Sequence, residues 1–158
     1  MNIPVIINGE KNMLQASPDE KLMNVLRNLN LYTVKPGCTE GICGSCTVLM
    51  NKKPVPSCRI PVALAMNQEI ETLEYFSKTE EYSSITKGFA KAGIKLCGYC
   101  NAGKIFAAFS ILQTRQKPTR ASVREQVKHL SPCCTDIDTL INGIIYAADL
   151  HSKIKKEV

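Results

Sequence analysis

Hydrophobic positions along this chain follow two different periods. In the first half they fall in short runs and alternations. IPVIING is a strand-like run ending in Asn8-Gly9, a favoured two-residue hairpin turn, and KNMLQA is placed to return beside it. SPDEKLMNVLRNL then carries Leu22, Val25, Leu26 and Leu29 at helical spacing. Ser17 stands before it as an N-cap, with Pro18 at the first helical position and Glu20 three residues after the cap, a capping-box pattern. Further on, CTVLM, the turn NKK and PVPSCRI predict a second hairpin, and EIETLE a last short strand.

The second half is helical in period. YSSITKGFAKAG, AGKIFAAFSILQTR, TRASVREQVKHL and DIDTLINGIIYAADLHSKI all fit amphipathic helices, punctuated by Gly93 and Pro118. Ser122 to Glu125 offers a second capping box. Four helices joined by short loops predict a small bundle. The polar stretch EYFSKTEEYSS, residues 74–84, marks the change and predicts domains over residues 1–76 and 77–158. The expected fold class is therefore α+β.

Composition sharpens this picture in three ways. At 44% hydrophobic residues over 158 positions, the chain has enough apolar material for a globular core. No apolar run approaches the roughly 18–20 residues of a membrane span. MNIPVIINGEKN lacks the basic-then-apolar order of a secretory signal, so a cytoplasmic location is the expectation. The net charge of +6 comes from scattered Lys and Arg, with a modest cluster in HSKIKKEV, and there is no Trp. Interleaved stacking residues for nucleic acid are missing, so the charge is read as a solvated basic surface facing an acidic partner protein.

Cysteine changes the picture most. The eight cysteines form two groups of four, 38, 43, 46, 58 and 97, 100, 133, 134. In a reducing compartment such a count points to metal ligation or redox chemistry before structural disulfides. PGCTEGICGSCTV with Cys58 gives C-x4-C-x2-C…C, the plant-type 2Fe–2S arrangement, so Cys38, Cys43, Cys46 and Cys58 are candidate ligands. Thiolates suit iron bridged by sulfide because both are soft donors. Gly37, Gly41 and Gly44 are expected to take positive φ and turn backbone N–H groups toward the sulfurs. A structural zinc site would show two short Cys knuckles where only one pair has that spacing.

In the second group, KLCGYCNAGKIF sets Cys97 and Cys100 at the mouth of one predicted helix, and LSPCCTDID sets Cys133 and Cys134 before another. Helix N-termini direct N–H groups and positive dipole ends at such a place, which suits an anionic cluster. With these segments added, the whole chain resembles the small iron–sulfur subunit of the molybdenum hydroxylases, the xanthine dehydrogenase and aldehyde oxidase type. The resemblance rests on GCTEGICGSCTV, PVPSC, EIETLE, CGYC heading a helix, and Pro118-Thr119 ahead of the last cysteines. It implies an N-terminal β-grasp ferredoxin-like domain and a C-terminal four-helix domain, each with a 2Fe–2S cluster. It further implies a large molybdopterin-binding partner subunit and an FAD-binding partner subunit. The first cysteine set matches the family's first ligands, and Cys97 and Cys100 match half of the second.

The sequence departs from the family pattern at three places. Leu96 stands where the family has a pterin-contacting Gln, and Asn101-Ala102-Gly103 stands where it has Thr-Pro-Gly. Pro132-Cys133-Cys134-Thr135 replaces Cys-x-Cys-Thr. Aligned from Pro118-Thr119, Cys134 falls on the final ligand and Cys133 on the intervening residue. Moving a cysteine by one position along an extended segment reverses its side-chain direction. Three readings of Cys133 therefore stand side by side: a fourth ligand in a rearranged loop, a bystander beside an absent or labile second cluster, or part of another metal site or a redox pair.

Among other candidates, His129 could substitute as a ligand, as histidine does in Rieske-type centres, or be an exposed helix-end residue. Tyr99 is expected to pack beside the cluster and screen it from water. No hydrolytic triad, phosphate-binding glycine loop or paired acidic motif occurs, so the chain is expected to have no substrate site of its own. The leading expectation is an electron-transfer subunit of a molybdopterin-dependent complex that relays electrons to a flavin or other acceptor. The alternative is a divergent ferredoxin-like carrier, or an interaction subunit, with only the N-terminal cluster.

Overall fold

A computed structural model describes residues 1–130 and 134–158. The Cys133 expectation lies outside the described residues. The N-terminal half is a five-stranded sheet of β1 (Asn2–Ile7), β2 (Glu10–Gln15), β3 (Thr47–Met50), β4 (Lys53–Pro56) and β5 (Glu69–Glu71). The spatial order is β2-β1-β5-β3-β4, with β1 and β5 parallel and the other pairs antiparallel. Both hairpins form where the sequence predicts. Their two-residue turns are left-handed at Asn8 and Gly9 (φ 51° and 84°) and at Asn51 and Lys52 (φ 50° and 66°), the geometry that matches strand twist.

Helix α1 (Leu22–Asn28) lies across this sheet and buries Leu22, Met23, Val25 and Leu26 against Ile3, Val5, Val48 and Ile70. It starts later than the capping box predicts. Lys21 is the N-cap, without a side-chain cap bond, and Ser17 turns to Asp19 instead. The reason is tertiary. The N–H groups of Leu22, Val62 and Ala63 bond the carbonyls of Ile60, Glu20 and Pro18 at 2.8, 2.7 and 3.1 Å. Backbone that a helix would have used is thus spent on pairing with the segment that follows Cys58.

The C-terminal half is four helices, α3 (Glu80–Lys91), α4 (Asn101–Leu112), α5 (Arg120–Val127) and α6 (Ile137–Glu157), preceded by the short α2 (Leu73–Phe76). The second predicted capping box is displaced by one turn. Thr119 caps α5, exchanging bonds with Ser122 at 3.2 and 3.0 Å. Phe76 packs into the helical core, 5.2 and 4.8 Å from the ring centres of Phe106 and Phe109. Leu49, on β3, joins that same core, so sheet and bundle share a seam. This is the α+β architecture of a ferredoxin-like sheet followed by a helical domain. None of the described helices is long and apolar enough to cross a membrane.

Helices α3 and α6 cross at glycine. A Cβ on Gly88 would lie 2.4 Å from the Ala147 nitrogen and 2.7 Å from the Gly143 oxygen. Replacing a helical glycine by alanine normally gains up to ~1 kcal/mol in propensity. Here forced separation of two backbones outweighs that gain, because overpacking costs ~1–3 kcal/mol. Gly88→Ala is therefore expected to lower stability by ~1–2 kcal/mol, read as an earlier denaturant midpoint. An unchanged or later midpoint would contradict the tight crossing.

Candidate metal centres

The loop between α1 and β3 carries Cys38, Cys43 and Cys46, and its backbone folds around sulfur. Thr39, Gly41 and Gly44 are left-handed (φ 60°, 80° and 78°). The coil aims successive N–H groups inward, as in anion-binding nests. Cys38 Sγ accepts from the N–H groups of Glu40, Ile42 and Cys43 at 3.4, 3.2 and 3.3 Å. Cys43 Sγ accepts from those of Cys38 and Ser45, each at 3.4 Å, and lies 3.3 Å from the Ser45 hydroxyl. Gly37 serves differently from the expectation. Its φ is not positive, and a Cβ there would sit 2.4 Å from Cys43 Sγ, so the missing side chain is what leaves room for sulfur.

Cys58 reaches the same place from a single 3₁₀ turn, Ser57–Arg59, at the end of β4. Buried Ser57 ties that turn to the loop, its hydroxyl donating to the Cys46 carbonyl at 2.6 Å. The Cys58 N–H in turn donates to Cys46 Sγ at 3.4 Å. The four thiols thus fall into two pairs, Cys38 with Cys43 and Cys46 with Cys58, the second pair fully buried. Cys38 and Cys58 are shifted in opposite directions. Hydrogen bonds from Cys43, Glu40 and Ile42 bring the Cys38 thiol down to about 6. Burial, and then the neighbouring Cys46, push Cys58 up to about 11.

The second set is assembled by helix ends. Cys100 is the N-cap of α4 and Cys134 lies two residues before Asp136, the N-cap of α6. Cys97 Sγ is 3.3 Å from Cys100 Sγ, which is 3.5 Å from Cys134 Sγ, and all three sulfurs lie within 4.8 Å of one another. These separations are far longer than a disulfide bond of about 2.05 Å. Gly98 (φ 84°) makes the Cys97–Cys100 turn possible. Asn101, where the family pattern has threonine, closes that turn by accepting the Gly98 N–H at 2.9 Å. Leu96 is half-buried and packs against the helical core. Burial, and then Cys97, push the Cys100 thiol up to about 12. His129 is exposed and stands outside this thiol group among the described residues.

The two sets adjoin. Gly44 of the first loop meets Gly103 of α4 so closely that a Cβ on Gly103 would lie 2.8 Å from the Gly44 Cα. Tyr99 also bridges them. Its ring is half-exposed and its hydroxyl donates to the Pro36 carbonyl, next to the first loop's glycine. Two site residues escaped sequence reasoning. Ser45 lacks any motif signal, whereas Lys104, whose Nζ donates to Cys100 Sγ at 3.2 Å, was discoverable as the one charge in an apolar helix one turn past a ligand.

Thiol donors, inward N–H groups and a cradle that Gly37 keeps open all suit bound iron–sulfide centres, which defines the chain as a two-site iron–sulfur protein. Residues 5–73 match the family described as 2Fe-2S iron-sulfur cluster binding domain, and residues 72–145 the 2Fe-2S binding domain. The chain is 35% identical to the xanthine dehydrogenase iron-sulfur-binding subunit of Escherichia coli O157:H7, covering 92% of each chain. It is 31% identical to the nicotinate dehydrogenase small FeS subunit of Eubacterium barkeri, covering 94% of this chain and 96% of that one. Among solved structures it superposes on quinoline 2-oxidoreductase from Pseudomonas putida 86 with a TM-score of 0.84 and 33% identity, over 97% of this chain and 96% of that one. The chain belongs to the iron–sulfur subunits of the molybdenum hydroxylases, subunits of oxidoreductase complexes that transfer electrons through two 2Fe–2S domains.

In the cluster-free chain, Cys38 is expected to be the most reactive of the perturbed thiols. A thiol whose pKa is lowered to about 6 is ionised above that pH and protonated below it. Iodoacetamide at neutral pH should alkylate Cys38 before Cys58 and Cys100, and the rate should fall as pH drops through about 6. Peptide mass spectrometry reads the order. Equal labelling of all three would contradict the N–H cradle.

Proposed function

We propose that this chain is the electron relay of a molybdenum-dependent hydroxylase or dehydrogenase complex of the xanthine dehydrogenase type. In this reading Cys38, Cys43, Cys46 and Cys58 hold one 2Fe–2S centre. Cys97, Cys100, Cys133 and Cys134 hold the other. Residues 1–76 and 77–158 are then the two cluster-bearing units. Each bound centre would supply a one-electron store at low potential. The protein's part is to hold, space and electrostatically tune those stores.

The observation that carries the reading is the approach of the two thiol sets through Gly44 and Gly103, reinforced by the Tyr99–Pro36 bond. A relay needs both stores close together and each store reachable from outside. Cys97 and the Gly98–Tyr99 turn are exposed at the second site, and Thr39, Glu40 and Ile42 at the first. These two edges suit two partners: a large molybdopterin-binding subunit at the helical end and an FAD-binding subunit, or another acceptor, at the ferredoxin-like end. The substrate then belongs to the large partner, and the relatives' names span xanthine and nicotinate. A cytoplasmic setting suits cysteines kept as thiols for metal. Convergence of Cys97, Cys100 and Cys134 favours two centres over a single-cluster carrier.

Anaerobic iron and sulfide analysis is expected to give about four of each per chain, with two distinct EPR signals on reduction. Cys58→Ser should remove one signal and Cys134→Ser the other, each halving the iron. About two irons per chain and a single signal would sink the two-centre form of the proposal.

A further inference from the structure

Helix α4 reads NAGKIFAAFSIL, and Lys104 is its only charged residue. That lysine is 3% exposed and sits between Gly103 and Ile105, both buried. Lysine is among the residues least often buried, because taking an ammonium out of water is costly unless something compensates it. Among the described residues, one compensating partner is sulfur. Cys100 and Lys104 are one helical turn apart, so their side chains share a face, and Nζ donates to Cys100 Sγ at 3.2 Å.

The chemistry of the proposed centre gives such a cation a purpose. Two ferric ions, two sulfides and four thiolates sum to a net charge of about minus two, and an arriving electron adds one more. A fixed positive charge at a ligand sulfur stabilises the more negative state more strongly, and in a water-poor site the effect is little screened. At the ferredoxin-like site the comparable groups are backbone N–H dipoles around Cys38 and Cys43. Hydrogen bonds to cluster sulfurs act in the same direction, but a full charge exceeds a dipole at similar distance.

We propose that Lys104 is a potential-setting residue of the helical-domain centre: its buried ammonium, bonded to Cys100, raises that centre's midpoint potential and so biases the electron toward the helical site over the ferredoxin-like one. The proposal rests on the two-centre reading above. No bond forms or breaks in the step. One electron enters from the complex's molybdenum partner and leaves to the flavin or other acceptor.

The test is an EPR-monitored redox titration of the full chain with its iron in place, reduced by dithionite with mediators. It compares wild type with Lys104→Met, which keeps length without charge, and Lys104→Arg, which keeps charge. The helical-domain signal is the one that Cys134→Ser abolishes. Lys104→Met is expected to lower the reduced-to-oxidised ratio of that signal at fixed potential at least about tenfold, a midpoint fall of ~59 mV, while the other signal stays in place. Lys104→Arg should retain most of the wild-type value. Full iron in Lys104→Met with an unmoved helical signal would overturn the proposal, and so would an equal shift in Lys104→Arg. If Lys104→Met loses the helical signal, Lys104→Gln is titrated in its place. Loss in both neutral variants with retention in Lys104→Arg would make Lys104 an assembly residue and overturn the potential-setting role. Wild-type iron of about two per chain would overturn the two-centre reading and take this proposal with it, by a separate measurement.

Discussion

Gly44 and Gly103 touch backbone to backbone, and much of the molecule is arranged to permit that contact. Gly44 lies in a loop wound by left-handed residues, and Gly103 in the first turn of a buried helix. Any side chain at either position would push the ferredoxin-like sheet away from the bundle. The apolar seam around the contact, with Leu49 of β3 and Phe76 of α2 both in the helical core, holds the two halves against it. Such an interface is a poor hinge and a good spacer. Electron transfer needs fixed, short separation, and two glycines on facing elements provide it where larger residues could not.

Around this contact, each thiol set meets the same electrostatic difficulty by different means. Thiolates gathered around bound iron would concentrate negative charge in a partly buried place. The first loop answers with its own backbone, whose curl turns N–H groups onto Cys38 and Cys43. The second set has the N-terminal ends of α4 and α6 and, in addition, the Lys104 ammonium. Backbone solutions survive side-chain substitution, because they depend on conformation and on the glycines that allow it. A side-chain solution is adjustable at a single codon, which suits a potential that must match a particular partner.

A good deal of this was legible in the residues alone. Hairpin turns at Asn8-Gly9 and after Met50 and four helices in the second half form as their local patterns imply. The departures are instructive. Ser17 and Glu20 make a good capping box on paper, yet residues 18–22 pair with the strand-like segment near Ile60 and the helix begins later. Gly37 looked like a turn glycine and is a sulfur-clearance glycine. Tyr99, read as a shield, also ties the second site to Pro36. For Ser17 and Tyr99 a segment distant along the chain competes for groups whose local preference pointed elsewhere; for Gly37 the deciding neighbour is Cys43, six residues on in the same loop.

The sequence by itself determined most element types and the family, because periodicity and motif spacing are properties of near neighbours along the chain; it missed α2 (Leu73–Phe76), which stands partly where a strand was expected. Tertiary structure alone decided how the two thiol sets face each other, which glycines exist for clearance, and that the one charge of α4 is folded inward against Cys100. The facing of the two sets depends on close approach between segments far apart in sequence, whereas Lys104 and Cys100 are one turn apart and it is the packing around them that buries the pair. Approach distances of a few ångströms are set by packing, which no local pattern records.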